Sequence, residues 1–343
     1  MIEIDGSLGE GGGQIVRTSI ALATLTGKDL HLINIRENRP TRGLSRQHCA
    51  AINAVAEFNG SRVSGNVPNS TELIFRPGEG GPKEISLDIG SAGSISLVLQ
   101  AVLLSAQSHD SKVVVDIRGG TDVRWAPPID FYPQVMFPLL ARMGIHAKMK
   151  IVKRGFYPKG GGEVHVEIKP PKHIDPLCID ELGALREIDA ISYCQNLPER
   201  VCKEMARSCE ELLSDFAPLN VEHELRHDTS TGAGISLVAS FEHGLLGASA
   251  LGSKGIPARL VGEEAAKNLI IEIEGGGTLD MHAADQLVPY MALAEGESRF
   301  RVWRISRHLL SQMGLLEKFL DAEFRISKLQ HGYQIGVVPG KRE

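Results

Sequence analysis

The sequence of 343 residues lacks several features that would assign a protein class directly. Its five cysteines are odd in number and form no C-x-x-C pair, which indicates a reduced protein without a thiolate zinc site. No apolar run is long enough to span a bilayer, and the first residues do not read as a signal peptide. These absences predict a cytoplasmic protein with no membrane partner.

Well-known catalytic and nucleotide-binding motifs are also missing. The chain has no G-x-x-x-x-G-K-[ST] loop, no dinucleotide fingerprint, no H-E-x-x-H and no G-x-S-x-G. The net charge of -5 argues against a general nucleic-acid coat or a polybasic membrane binder. It leaves room for a small basic pocket that binds one end of a nucleic acid. The length favours two domains.

A glycine run near the start has two explanations that the sequence leaves open. The stretch GEGGGQIVRTS covers Gly9 to Ser19, where glycines precede a predicted helix with Arg17 one turn in. Free N–H groups and the positive end of the helix dipole would suit a phosphate at this point. The alternative is a tight turn that needs glycine for positive φ.

The order of predicted elements recurs three times along the chain. Each copy reads helix, strand, helix, strand, strand, and a glycine-rich stretch precedes its first helix. The first helices are QIVRTSIALATLTG, SAGSISLVLQAVLLSAQ and HAADQLVPYMALA, and the second helices are LSRQHCAAINAVAEFNG, PIDFYPQVMFPLLARMG and RHLLSQMGLLEKFL. The sequence therefore predicts an α/β fold in which 1–180 and 278–343 form a large three-repeat domain and 181–277 an inserted small α/β domain.

Four arginines in the first copy are candidates for anion binding. Arg36, Arg39, Arg42 and Arg46 lie within eleven positions, between a predicted strand and the second helix. Arginine offers planar, bidentate donors that match phosphate and carboxylate, and Arg17 could join them. A solvated basic face that pairs with nearby acids is the open alternative.

The last copy carries candidate titratable groups at two helix starts. His308 follows Ser306, a predicted N-cap, and a helix N-terminus disfavours the imidazolium form. His282 and Asp285 open the preceding helix in MHAADQ. A lone histidine is more often structural, and a first-turn aspartate often just complements the helix dipole.

Seven segments in one order resemble the RNA 3′-terminal phosphate cyclase family along the whole chain. They are DGSLGEGGGQIVRT, IRENRPTRGLSRQH, GSAGSISLVLQ, GGTDVRWAPP, GFYPKGGGEV, ADQL and SRHLL. The resemblance implies three repeats like the C-terminal domain of translation initiation factor 3, with a smaller inserted domain. It implies ATP and RNA 3′-phosphate ends as partners, and a 2′,3′-cyclic phosphate as the product.

The same resemblance implies the site residues. His308 in S-x-H would be the nucleophile that takes AMP from ATP, and Glu10 and Asp285 would face a divalent metal, Mg²⁺ or Mn²⁺. Implied ATP-binding residues are Gln100, Pro127, Phe131, His282, Ala283, Ala284, Asp285 and Gln286, and implied phosphate or RNA ligands are Gln14, Arg17, Arg36, Arg39 and Gln47. Two departures stand out: Ser311-Gln312 replaces a frequent Thr-Asn, and Trp125 has no implied role.

Two other readings compete with this one. A cyclase-like RNA-binding protein of ribosome biogenesis would lack the nucleophilic histidine, whereas His308 is present. An enolpyruvyl transferase would double the three-repeat domain, whereas here the set occurs once.

Overall fold

The computed structural model describes residues 1–340 as a mixed α/β protein. In that range the strands form four small sheets and eight α-helices pack on them. No helix among these residues is both long and apolar enough to cross a membrane.

The first sheet shows how turn chemistry sets the element boundaries. Its region contains β1 (Ile2–Asp5), α1 (Gly13–Thr26), β2 (Leu30–Ile33), α2 (Arg46–Asn59), β3 (Arg62–Ser64) and β4 (Leu73–Arg76). The strand order is β1-β2-β4-β3, with β1 parallel to β2 and the other pairs antiparallel. Both helices end at a left-handed glycine, Gly27 at φ 64° and Gly60 at φ 63°, a conformation that only glycine adopts freely.

The second sheet repeats this order. Its region contains β5 (Glu84–Asp88), α3 (Ile95–Ser105), β6 (Val113–Gly119), α4 (Phe137–Ala141), β7 (His146–Lys153) and β8 (Gly162–Lys169). The strand order is β5-β6-β8-β7, again with one parallel pair at the start. A single long helix was predicted over the segment PIDFYPQVMFPLLARMG, but a π-helical turn at Tyr132–Met136 precedes a short α4. The prolines at 133 and 138 lack the N–H groups that a continuous helix needs.

The 181–277 segment builds the third sheet in chain order. It contains β9 (Leu185–Gln195), α5 (Arg200–Leu213), β10 (Leu219–Arg226), β11 (Gly232–Phe241), β12 (Leu245–Leu251) and α6 (Ala258–Glu274). The strand order is β10-β9-β11-β12. Most of its buried apolar side chains, from Ile188 to Leu269, form a cluster separate from the larger core, which Val238 of this segment joins.

The last sheet gains a strand-like neighbour from ahead of that segment. Its region contains α7 (Met281–Ala292), β13 (Ser298–Val302), α8 (Arg307–Leu320), β14 (Glu323–Lys328) and β15 (Tyr333–Val338), and the order is β13-β15-β14. Cys178 makes an isolated parallel bridge to Arg299. The N–H of Ile179 donates to the Arg299 carbonyl at 2.8 Å, and the N–H of Arg299 donates to the Leu177 carbonyl at 3.0 Å. These residues lie beside β13 as β1 lies beside β2.

The helices of the first, second and last regions pack on one another inside the larger core. α1 contacts α2, α3 and α8, while α7 contacts α3 and α8. Their interface is fully buried at positions such as Ile20, Leu99, Leu287 and Leu316. Because these helices meet in one layer, several of their N-termini open onto the same side of the protein.

Candidate active site

Five helix N-termini line one cavity of about 810 Å³. The first turns of α1, α2, α3, α7 and α8 all contribute lining residues. Each helix N-terminus carries a partial positive charge and unpaired N–H groups. Side chains cap α2, α3, α7 and α8, whereas α1 begins at Gly12 without a side-chain cap. The amides at the start of α1 are therefore available to an anion.

The glycines before α1 serve the turn and also the close packing behind it. Gly9 and Gly11 both have φ of 57°, so the tight-turn explanation holds at these two positions. At Gly13 a Cβ atom would lie 1.9 Å from Nε2 of the buried His48 ring. The two explanations left open by the sequence are thus compatible, because Gly12 and Gly13 also line the cavity.

His308 lies half-exposed in the cavity beside an acid. Its Nε2 is 3.5 Å from Oε2 of Glu10, and Arg39 Nη2 approaches the same oxygen at 3.3 Å. Burial lowers the pKa of His308; Glu10 acts against this, and Arg17 and Arg39 add to it. The imidazole is therefore biased toward its neutral form, which is the form that can act as a nucleophile.

The start of α8 is tied to α7 through a shared hydroxyl. Ser306 Oγ accepts the N–H of Leu309 at 2.8 Å, which confirms the predicted N-cap, and donates to Asp285 Oδ1 at 2.5 Å. Burial, with the charges of Asp280 and Glu10 nearby, raises the pKa of Asp285 to about 7. Ser306 opposes that rise without cancelling it. A buried acid of this kind favours a neighbouring cation.

The predicted arginine cluster separates into two groups. Arg36 and Arg39 line the cavity, and Arg36 Nη1 donates to the Gly43 carbonyl at 2.9 Å. Arg42 and Arg46 are exposed and outside the lining, and Arg42 pairs with Glu37 at 2.7 Å. The alternative of a solvated basic face therefore describes Arg42 and Arg46.

Arg17 joins Arg36 and Arg39 from the floor of the cavity. Its side chain is 6% exposed, and Nε donates to Gln100 Oε1 at 3.0 Å. Burial lowers its pKa to about 10, so it stays cationic at neutral pH. Gln14 lines the same wall, and Gln47 accepts the N–H of Ser94 at 2.7 Å.

An apolar end of the cavity lies between the second region and the 181–277 segment. Pro127 and Phe131 face it from one side, and Leu237 and Ala248 line it from β11 and β12. The sequence did not indicate that the 181–277 segment contributes to the site. Its contributing side chains are small or apolar and carry no recognisable motif, so only tertiary packing reveals them.

The α7 residues divide between cavity and core. His282, Asp285 and Gln286 line the cavity, whereas Ala283 and Ala284 are fully buried in the core and do not. The structure therefore does not bring these two alanine side chains to the site, because they occupy the opposite face of the helix.

His48 is a cavity residue that the sequence prediction missed. Its Nδ1 accepts the N–H of Ser45 at 3.0 Å within a capping box, and burial lowers its pKa to about 3. The spacing Ser45-x-x-His48 was a usable signal, because position N3 of a capping box reaches back to the cap. Being neutral and buried, His48 supports the α1 turn.

Metal binding by protein groups alone receives no support from residues 1–340. In that range no three His, Cys, Asp or Glu side chains gather to hold a metal ion. Glu10 and Asp285 both line the cavity, each with one oxygen already engaged.

Comparison with known proteins gives one family. A sequence profile described as RNA 3′-terminal phosphate cyclase matches residues 8–326. A Methanopyrus kandleri protein named RNA 3′-terminal phosphate cyclase is 41% identical over 336 residues, covering 95% of each chain. A Nitrosospira multiformis protein of the same name is 42% identical over 342 residues, covering 99% of this chain and 97% of the relative.

A solved structure of the enolpyruvyl transferase NikO from Streptomyces tendae matches 99% of this chain and 66% of its own, with 8% identity and a TM-score of 0.28. That likeness is too low to inform the fold or the function. The profile match and the two relatives cover nearly the whole chain, so this protein belongs to the RNA 3′-terminal phosphate cyclase family.

Proposed function

We propose that this protein uses ATP to convert an RNA 3′-terminal phosphate into a 2′,3′-cyclic phosphate through a histidine–AMP intermediate. The observation that carries the proposal is the position of His308 in a cavity lined by Arg17, Arg36 and Arg39. A neutral imidazole beside three guanidinium groups suits attack on a phosphorus whose charged oxygens must be held. The names of the relatives support the substrate class.

The reaction consists of three successive nucleophilic displacements at phosphorus. A ring nitrogen of His308 attacks the α-phosphorus of ATP, the bond to the bridging oxygen breaks, and pyrophosphate leaves. An oxygen of the RNA 3′-phosphate then attacks the same phosphorus, and the imidazole leaves. The vicinal 2′-hydroxyl finally attacks the 3′-phosphorus and its proton passes to solvent. AMP is the leaving group, and the RNA now ends in a 2′,3′-cyclic phosphate.

Separate parts of the cavity suit separate parts of the substrates. The apolar end at Pro127 and Phe131 suits adenine, with His282 and Gln286 beside it, while the arginines and the amides before Gln14 suit phosphates. Gln47 and Gln100 offer neutral donors to phosphate or ribose oxygens. Ala283 and Ala284 can contribute to ATP binding through backbone atoms alone.

The acids fit a divalent ion that is shared with phosphate. Mg²⁺ is commonly held by one or two carboxylates together with phosphate oxygens and water, and Glu10 and Asp285 supply such a pair. Burial raises the pKa of Asp285, and a cation bound beside it would favour its ionised form. When bound, Mg²⁺ or Mn²⁺ would spread the charge of the triphosphate.

The test labels the protein with ATP that carries radioactive phosphorus at the α position. We expect label on the wild type and on the His282→Ala variant, and none on the His308→Ala variant. His282 is the matched control, because it opens a helix in the same cavity. Label retained by the His308→Ala variant, or mapped by mass spectrometry to another residue, would refute the mechanism.

A second assay separates this function from non-catalytic RNA binding. An RNA with a 3′-phosphate, incubated with protein and ATP, should acquire a phosphatase-resistant cyclic end. An RNA that binds but remains sensitive to phosphatase would favour the cyclase-like binding protein instead.

We also propose that the large domain comprises 1–180 and 278–343, built from one unit used three times and similar to the initiation factor 3 domain, with 181–277 as the inserted domain. The shared strand orders and the separate apolar cluster within 181–277 support this. The insertion would replace the loop between the leading strand and the first helix of the last unit. Superposition of the three units in an experimental structure tests it, and unrelated topologies would refute it.

A further inference from the structure

Trp125 is a large apolar side chain that the fold holds in solvent. It is 96% exposed, and its backbone has φ of 68°, in the left-handed region. A bulky residue is rare in this region because its Cβ crowds the backbone. Such outliers persist where the surroundings hold them, and they concentrate at ligand sites.

The loop that carries Trp125 is anchored at both ends by one buried side chain. The guanidinium of Arg154 contacts Asp130 through two hydrogen bonds of 2.7 and 2.9 Å, and it reaches Asp122 at 3.3 Å. The N–H of Ile129 donates to the Thr121 carbonyl at 3.0 Å, which closes the base of the 121–130 loop. Trp125 is therefore exposed on a fixed loop.

The 181–277 segment holds the loop from its other side. Arg154 lies 3.8 Å from the ring centroid of Tyr193, whose hydroxyl donates to Asp122 at 2.8 Å. Arg124 Nη2 donates to Ser253 Oγ at 2.7 Å next to the tryptophan. With contacts on both sides, the backbone that carries Trp125 is held in one place, and little backbone entropy remains to be lost on binding.

Two aromatic side chains that line the cavity differ in their exposure to solvent. Phe131 is 8% exposed and faces the apolar end, whereas Trp125 lines the same cavity while its ring remains open to solvent. The proposed reaction brings two bases together, the adenine of ATP and the base of the last RNA nucleotide. The sheltered end suits adenine, which leaves the open indole for the second base.

We propose that Trp125 stacks on the base of the 3′-terminal nucleotide of the RNA substrate. The proposal rests on the proposed function for the identity of the substrate. Stacking on an indole tolerates every base, since each base has a π-face. Such a contact would guide an RNA end into the cavity without selecting its sequence.

Fluorescence measures the contact directly. The chain has two tryptophans, so a Trp303→Phe background leaves Trp125 as the single emitter. We expect a 3′-phosphorylated oligonucleotide to quench it, and the same oligonucleotide without its terminal base to bind on the order of 5- to 150-fold more weakly without quenching. Equal affinity and equal quenching for both oligonucleotides, or quenching by ATP without RNA, would overturn the proposal.

Catalysis supplies an independent readout. Glycine adopts the left-handed backbone of position 125 without strain, so Trp125→Gly should keep the fold. In this variant AMP labelling should stay at the wild-type level, while KM for RNA should rise on the order of 5- to 150-fold. Tyr157→Ala is the matched control, because Tyr157 is 77% exposed but lies outside the lining. Impaired AMP labelling in Trp125→Gly with unchanged KM for RNA would overturn the proposal. Absence of labelling in the wild type would instead refute the proposed function, while the quenching assay would still decide the base contact.

Discussion

Replacing Arg154 with methionine should strongly destabilise the protein at neutral pH. The guanidinium is 1% exposed and serves three carboxylates, of which Asp122 and Asp130 are 0% and 3% exposed. Glu224 would keep Arg226 as a partner, whereas Asp130 would lose both of its short hydrogen bonds. Removing one partner from a buried ion pair costs about 3–5 kcal/mol, and we expect a loss in this range.

The loss should shrink in acid. Burial raises the pKa of Asp122 even with Arg154 in place, and removal of the cation raises it further. The folded variant would then bind more protons than the unfolded chain, so its stability falls as pH rises. As pH falls toward about 4, the carboxyl of Asp122 is protonated in the folded variant and its uncompensated charge disappears.

Urea unfolding followed by circular dichroism at pH 7.5 and at pH 5 measures both effects. The Arg207→Ala variant is the control, because Arg207 is 80% exposed in an i,i+4 pair with Glu211 and should change stability by less than about 0.5 kcal/mol. Asp130→Asn added to Arg154→Met should recover part of the loss. A loss below about 1 kcal/mol, or one that is independent of pH, would refute the reasoning.

Four further predictions concern the cavity and the helices that form it. Arg39→Ala should lower cyclase activity at least about tenfold in a steady-state assay, and full activity would contradict its role. Self-adenylylation should lose its rate only below about pH 6.5, because the pKa of His308 is lowered, and an acid limb above that value would be inconsistent. Gly13→Ala should lower the free energy of chemical unfolding by about 1–3 kcal/mol, because the added Cβ clashes with the buried His48 ring. Gly314→Ala is the control, because open space surrounds that position and alanine should stabilise α8. Equal effects of the two substitutions would argue against the clash. Asp285→Asn should gain thermal stability over wild type as pH rises from about 4 to 7, since the raised pKa of Asp285 makes its ionisation unfavourable to folding, and a difference flat with pH would exclude this.

The local elements were largely predictable from the sequence. The segment RHLLSQMGLLEKFL and the helix Arg307–Leu320 coincide, because a capping serine precedes the helix and its apolar positions recur at helical spacing. The leading strands Ile2–Asp5 and Glu84–Asp88 were missed. Each is short, and β5 is mostly exposed, so neither carries a strong apolar alternation.

The site was predictable where it depends on motif residues and not where it depends on packing. Arg17 of α1 and the pair Arg36 and Arg39 of the loop before α2 line the same cavity, and the family resemblance had indicated all three. The contribution of Leu237 and Ala248 had no local signal. These side chains reach the cavity because an entire sheet lies against the second region, and such an arrangement follows from tertiary contacts alone.

The bridge between Cys178 and Arg299 has a consequence for the order of folding during synthesis. The N–H of Leu177 also donates to Ser298 Oγ, across 121 positions of sequence. At ribosomal speed the segment at Leu177–Ile179 is made about 6–25 s before its partner β13, which is long enough for most single domains to fold. Folding of the 181–277 segment shortens the effective loop that must close. Variants that slow this segment therefore leave a strand edge unpaired for longer, and refolding in dilute buffer should show more aggregate, because unpaired edges recruit other chains.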